Sequence, residues 1–167
     1  MWTKLYWANG PWPGRLALSA RPRGGDWLAD EMDQWRRAGV DIVLSLLTKP
    51  EERDLNLEGE EREANRHGID FWSFPIPDRE VPARESEWAA LLENIDRALA
   101  SGKNVVLHCR QGIGRTGLVA ACLLLSKGAS VDAVVKELSS LRGVEIPETV
   151  GQRAWIDHFV ASLAASR

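Results

Sequence analysis

Cysteine is scarce in this chain, with only Cys109 and Cys122 present. Two thiols cannot build a disulfide framework, and their scarcity fits a reducing compartment, so a cytoplasmic protein is expected. Long apolar runs are missing as well. The longest, LVAACLLL from Leu118 to Leu125, is far too short to span a bilayer, and the opening MWTKLYWANGPWPG carries no apolar stretch behind a basic start. Neither a membrane span nor export is therefore expected. No excess of one charge exists either: the formal net charge is -3, which gives no global pull towards nucleic acid or anionic lipid. Any anion binding must be local, and no nucleic-acid partner is expected. The three histidines, His67, His108 and His158, are scattered and no HExxH or CxxC pairing occurs, so no metal site is expected.

What the chain does have is enough apolar residue for a normal core. With 167 residues, 44% of them hydrophobic, it reads as one domain over 1–167, and nothing in it sets an oligomeric state. Short apolar or β-branched runs at 5–8 (LYWA), 15–20 (RLALSA), 40–47 (VDIVLSLL), 69–76 (IDFWSFPI) and 104–109 (NVVLHC) predict strands. Between them, Asp26 is placed to cap a helix carrying Trp27, Leu28, Met32 and Trp35, and Ser86 to start another carrying Trp88, Leu91, Leu92, Ile95 and Leu99. Gly39 and Gly102 are placed to stop them. Beyond residue 113 only the 3.6 period remains, which predicts a helical C-terminal third. The stretch Thr48 to Arg66 is dense in charge and reads as a solvated helical excursion. The eight tryptophans sit mostly on apolar faces and read as core.

Chemistry concentrates in HCRQGIGRTG, residues 108–117. Its last six letters satisfy GxGxxG, but a dinucleotide fingerprint should open the first βαβ unit and be followed by a second strand with an acidic residue about 20 positions on. Here a helical pattern follows instead, so no dinucleotide or other cofactor is expected. The alternative uses every residue. A buried strand ends at Cys109 and a helix begins near Gly114, so the five intervening residues wrap between a strand end and a helix N-terminus. Gly112 and Gly114 are expected to take positive φ and turn successive amides inward as an anion nest, with Arg110, Gln111 and Ile113 completing the cradle. Arg115 offers a planar, two-pronged donor to phosphate oxygens, and Cys109 is the nucleophile that such a positive site would support. The competing view of Cys109 is an inert buried thiol.

The same letters resemble the His-Cys-x5-Arg-Ser/Thr signature of the cysteine-based protein tyrosine phosphatases. The size resembles the compact dual-specificity branch, notably its kinase-associated-phosphatase-like members. FPIPDREVP at 74–82 looks like that family's general-acid loop, and the likeness runs from about residue 40 to 165. The resemblance implies an α/β fold with a central mixed, mainly parallel sheet flanked by helices, and a phosphorylated protein or peptide as substrate partner. It also implies roles. Asp78 would be the general acid, with Glu80 its rival, and Thr116 would ease departure of the sulfur. Gln152 would place the hydrolytic water or else be an exposed helical glutamine; His108 would orient the loop and tune the thiolate through a hydrogen bond from its ring, or else be a satisfied core histidine. Arg79 and Arg110 would rim the site or be surface charge. Phosphoinositide or RNA 5'-triphosphate hydrolysis, and phosphate binding without turnover, remain the alternatives. Ile113, where lipid-directed loops often carry lysine, weighs against the lipid. Cys122 is expected to pack in the core, too far along its helix to bridge Cys109.

Overall fold

The computed structural model describes residues 2–166. All five predicted strands form: β1 (Tyr6–Ala8), β2 (Leu16–Ser19), β3 (Ile42–Ser45), β4 (Asp70–Ser73) and β5 (Val105–His108). They make one sheet in the order β1-β2-β5-β3-β4, parallel except for β1, which pairs antiparallel with β2. The α/β class with a mixed, mainly parallel sheet is thus the fold. Each strand is shorter than its apolar run. Leu46, Leu47 and Ile76 are buried but lie beyond the strand ends, where the backbone turns to serve the site.

Alternation within the strands divides the core. Leu16, Leu18, Ile42, Leu44, Val105 and Leu107 face one layer, while Ala17, Val43 and Val106 face the other. On the first face pack α4 (Glu85–Ala100), α5 (Gly114–Ser126), α6 (Val131–Arg142) and α7 (Val150–Ala165); α6 also lies against β1. On the second pack α1 (Leu28–Arg37) and α3 (Glu60–Arg66), the latter preceded by the short α2 (Lys49–Asp54). Helix α5 is buried along nearly its whole length, as its apolar sequence requires. No helix among the described residues is long and apolar enough to cross a membrane.

Several local expectations need correction. Asp26 does not cap α1: a single 3-10 turn, Gly25–Trp27, intervenes, and Gly25 N–H is held by Asn56 O at 2.8 Å. Ser86 lies inside α4, which the chain enters from extended Arg84 with no side-chain cap; Glu85 and Glu87 in its first turn suit the helix dipole instead. The tryptophans are mostly core as expected, with Trp7, Trp12, Trp72 and Trp155 packed against the apolar layers. Trp35 and Trp88 are buried, but Trp2 and Trp27 are exposed, and Arg23 stacks on both. Finally, the charged stretch from Thr48 to Arg66 is not simply solvated, because Glu51, Glu52, Glu60 and Glu63 are buried. Two of these carboxylates reach the site.

Candidate active site

The carboxyl ends of β2, β5 and β3 stand in register, Ser19 beside His108 beside Ser45. The chain leaves β5 at this edge, and Cys109 is its next residue. The loop 109–113 then turns into α5, so strand end and helix N-terminus face one another. Gly112 takes φ +73°, and a Cβ there would collide with the Ser19 carbonyl, so both the conformation and the space require glycine. Gly114 differs from expectation: it is the first residue of α5 and not left-handed. Its lack of a side chain instead admits neighbours, since a Cβ would lie 2.5 Å from Glu148 Oε2 and 3.1 Å from the Gln152 amide.

Cys109 Sγ accepts hydrogen bonds from Thr116 Oγ1 at 3.0 Å and from Gly112 N–H at 3.3 Å. These two donors can hold negative charge on sulfur. The thiol lines a cavity of about 160 Å³ together with Asp78, Arg79, Arg110, Gln111, Gly114, Arg115 and Glu148. Ile113 stands at the N-cap of α5 with its side chain packed towards the core. Thr116 is buried behind the sulfur.

Arg115 is 1% exposed and almost fully engaged. Its Nη1 donates to Glu51 Oε1 at 2.7 Å, Ile76 O at 2.8 Å and Leu46 O at 3.4 Å; its Nη2 donates to Glu51 Oε2 at 2.9 Å and Asp78 Oδ1 at 3.1 Å. Nε has no acceptor among the described residues although it is buried. That N–H, together with the Nη2 hydrogen that here goes to Asp78, makes the two-pronged edge a phosphate would use once it takes the place of Asp78 on Nη2. Burial disfavours the charge on Arg115, but its hydrogen bonds to Glu51 and the negative charge at Cys109, Glu51 and Asp78 outweigh this and raise its pKa. Glu51 responds in the opposite sense. Burial pushes it up, but donation from Arg115 and from the Thr48 backbone, with the charge of Arg115, brings its pKa down from 4.5 to about 2.

The acid-loop residues are each tied to a different element. Asp78 accepts from Arg115, Arg79 bridges to Glu148 at 3.1 Å with φ +66°, and the Glu80 carbonyl accepts from Gln152 Nε2 at 3.3 Å. The Glu80 side chain has no hydrogen-bond partner among the described residues, whereas Asp78 lines the cavity. Gln152 is buried, contrary to the exposed alternative, and the Thr149-x-x-Gln152 capping box fixes it at the start of α7. His108 is fully buried; its Nε2 lies 2.6 Å from Glu60 Oε1 and its Nδ1 3.3 Å from the Cys109 carbonyl, so its ring meets the loop backbone and not the sulfur. Cys122 is free and buried in α5, with its thiol pKa pushed up by burial. Arg110 reaches Glu51 at 3.4 Å from the cavity wall.

Glu51, Glu60 and Glu148 join the site without having been foreseen. Only Glu51 left a signal: Thr48-Lys-Pro-Glu51 has the spacing of a capping box with proline at a helix start, and Glu51 Oε1 does accept from both Thr48 N–H and Oγ1 at 3.1 Å.

A mainly parallel sheet with a cysteine-to-arginine loop at the carboxyl end of its central strand defines the class, and the chain belongs to the cysteine-based protein tyrosine phosphatases in their dual-specificity branch. Residues 19–129 match the family Tc-R-P, described as polymorphic toxin system, DSP-PTPase phosphatase. Among individual proteins it is similar to cyclin-dependent kinase inhibitor 3 of Rattus norvegicus, 28% identical over 81% of this chain and 64% of that protein. The same protein of Sus scrofa is 34% identical over 60% of this chain and 48% of its own length. The matches thus span 48% to 64% of the length of these relatives. Among solved structures, kinase associated phosphatase superposes with a TM-score of 0.88 at 22% identity, covering 99% of this chain and 98% of that one. Tk-PTP in its active form gives 0.79 at 26% identity, covering 96% and 99%.

Proposed function

We propose that this chain hydrolyses phosphomonoesters, with phosphotyrosine in a protein or peptide as the substrate of first choice, through a phosphocysteine intermediate. The observation that carries this reading is the arrangement around one cavity of a doubly hydrogen-bonded sulfur, a buried guanidinium with an unengaged Nε–H, and an aspartate. Cys109 attacks phosphorus in line with the leaving oxygen while loop amides and Arg115 hold the transferring phosphoryl group. Asp78 gives its proton to the leaving oxygen, which otherwise departs badly. Water then attacks phosphorus and the P–S bond breaks, with Asp78 taking the water's proton, Gln152 placing the water and Thr116 donating to the departing sulfur. His108, locked between Glu60 and the Cys109 carbonyl, fixes the start of the loop. The whole domain, residues 1–167, acts as one unit without metal or cofactor.

The test is release of phosphate from a phosphotyrosine peptide in the presence of EDTA, run beside phosphothreonine peptide, a phosphoinositide and triphosphate RNA. Turnover of the peptide with no loss on chelation supports the reading. Oxyanion binding with no turnover of any of the four would leave a phosphate-binding module, and preference for lipid or RNA would move the substrate class.

A further inference from the structure

Gly112 N–H faces the sulfur, while the carbonyls of Gln111 and Gly112 are held by a side chain from outside the loop. Arg142, the last residue of α6, donates from Nη2 to Gln111 O at 2.8 Å and from Nε to Gly112 O at 3.0 Å. It does not line the cavity. In a planar trans peptide the C=O and the following N–H point in opposite directions. Drawing the Gln111 carbonyl towards Arg142 therefore aims Gly112 N–H at Cys109 Sγ, which it reaches at 3.3 Å. Drawing the Gly112 carbonyl the same way turns Ile113 N–H inward as well. The guanidinium is fixed from its other side by Tyr6 on β1, whose ring centroid lies 3.9 Å from its Cζ.

We propose that Arg142 is a positioning residue: from behind the loop it sets the peptide planes at Gln111 and Gly112 so that their amides converge on a bound oxyanion, with Tyr6 as its platform. This rests on reading the cradle as a phosphate site. It differs from the role given to Arg115, which meets the anion directly. A lysine could satisfy one carbonyl but not both at once, because it lacks the forked geometry.

Calorimetric titration of orthovanadate into the full chain, paired with thermal unfolding, tests this in wild type, Arg142→Met, Arg142→Lys and Tyr6→Leu. Two charge-assisted hydrogen bonds set the scale, so Arg142→Met is expected to weaken vanadate by about tenfold to a hundredfold, with Arg142→Lys between it and wild type. Tyr6→Leu should weaken it by roughly threefold, the loss of a partly exposed cation–π contact. A merely structural arginine would lower the melting temperature and leave the affinity of the folded protein alone. A folded Arg142→Met within about twofold of wild type overturns the proposal; if that variant does not fold, Arg142→Lys at wild-type affinity overturns it. A wild-type chain that fails to bind vanadate would instead refute the cradle itself, whatever residue 142 is.

Discussion

Replacing Glu51 by glutamine keeps the size of the side chain and one acceptor oxygen but takes away the charge facing Arg115. The guanidinium is 1% exposed and the Glu51 side chain 11%, so solvent screens the pair little. Depression of the Glu51 pKa from 4.5 to about 2 corresponds to about 3 kcal/mol of preferential stabilisation of the ionised form, at 1.36 kcal/mol per unit. Removing one member of a buried pair also strands the other charge. Glu51→Gln is therefore expected to lose about 2–3 kcal/mol of unfolding free energy at pH 7, measured by urea titration, and to lower kcat/KM about tenfold or more as Arg115 loses its anchor. The pH dependence gives the sharper check. A carboxylate whose pKa is depressed on folding contributes fully above its unfolded value and loses that contribution as pH falls through the folded one. The gap between wild type and variant should hold from pH 7 down to near 4.5 and close towards about 2. Glu52→Gln is the control on the same helix, because among the described residues the ion pair of Glu52 is with the exposed Lys49. A Glu51→Gln deficit below about 0.5 kcal/mol at pH 7, the size of an ordinary surface change, would refute the reasoning. So would a deficit that is unchanged at pH 3.

Cys109→Ser should abolish phosphate release while leaving vanadate bound, since Arg115 and the loop amides remain; turnover by the folded variant would exclude the phosphocysteine route. Asp78→Asn should slow a phosphotyrosine substrate by about a hundred- to ten-thousandfold and an aryl phosphate with a strongly acidic phenol far less. Glu80→Gln should be nearly silent, and the reverse ranking of these two variants would reassign the proton donor. Gly112→Ala combines a left-handed φ with a collision against the Ser19 carbonyl, so a loss of at least about 2 kcal/mol in stability is expected by urea titration. A variant as stable as wild type would show that the loop can leave β2 freely.

The parts of this molecule that could be read in advance are those whose cause is local. Five strands announced themselves by short apolar runs, and the cysteine loop by the meeting of a strand, two glycines and an arginine. Helix starts were read less well, because Asp26 and Ser86 have capping side chains that the backbone does not use. Buried carboxylates were missed for a different reason. Glu51 and Glu60 look like solvated charge along the chain, and only the fold shows that their partners are Arg115 and His108, 64 and 48 residues further on. Arg142 was equally hidden: as the last residue of an amphipathic helix it suits the helix dipole, and nothing nearby announces the two loop carbonyls it holds. Which glycine needs what could also not be foreseen, since Gly112 and Gly114 look alike in sequence but answer to a left-handed turn and to close neighbours.

The strand that carries Cys109 is the last of the five along the chain, yet it occupies the middle of the sheet. Until it arrives, β2 and β3 have no common neighbour: one belongs to a hairpin with β1, the other to a pair with β4, and each turns a bare row of amides and carbonyls towards the other. During synthesis this leaves two facing open edges for the whole time it takes to make α4, and such edges are templates for pairing with the wrong chain. Insertion of residues 105–108 closes both at once and joins the halves. The nucleophile therefore rides on the keystone, so a fragment ending before it lacks more than its reactive sulfur: it is left as two separate ribbons with sticky margins.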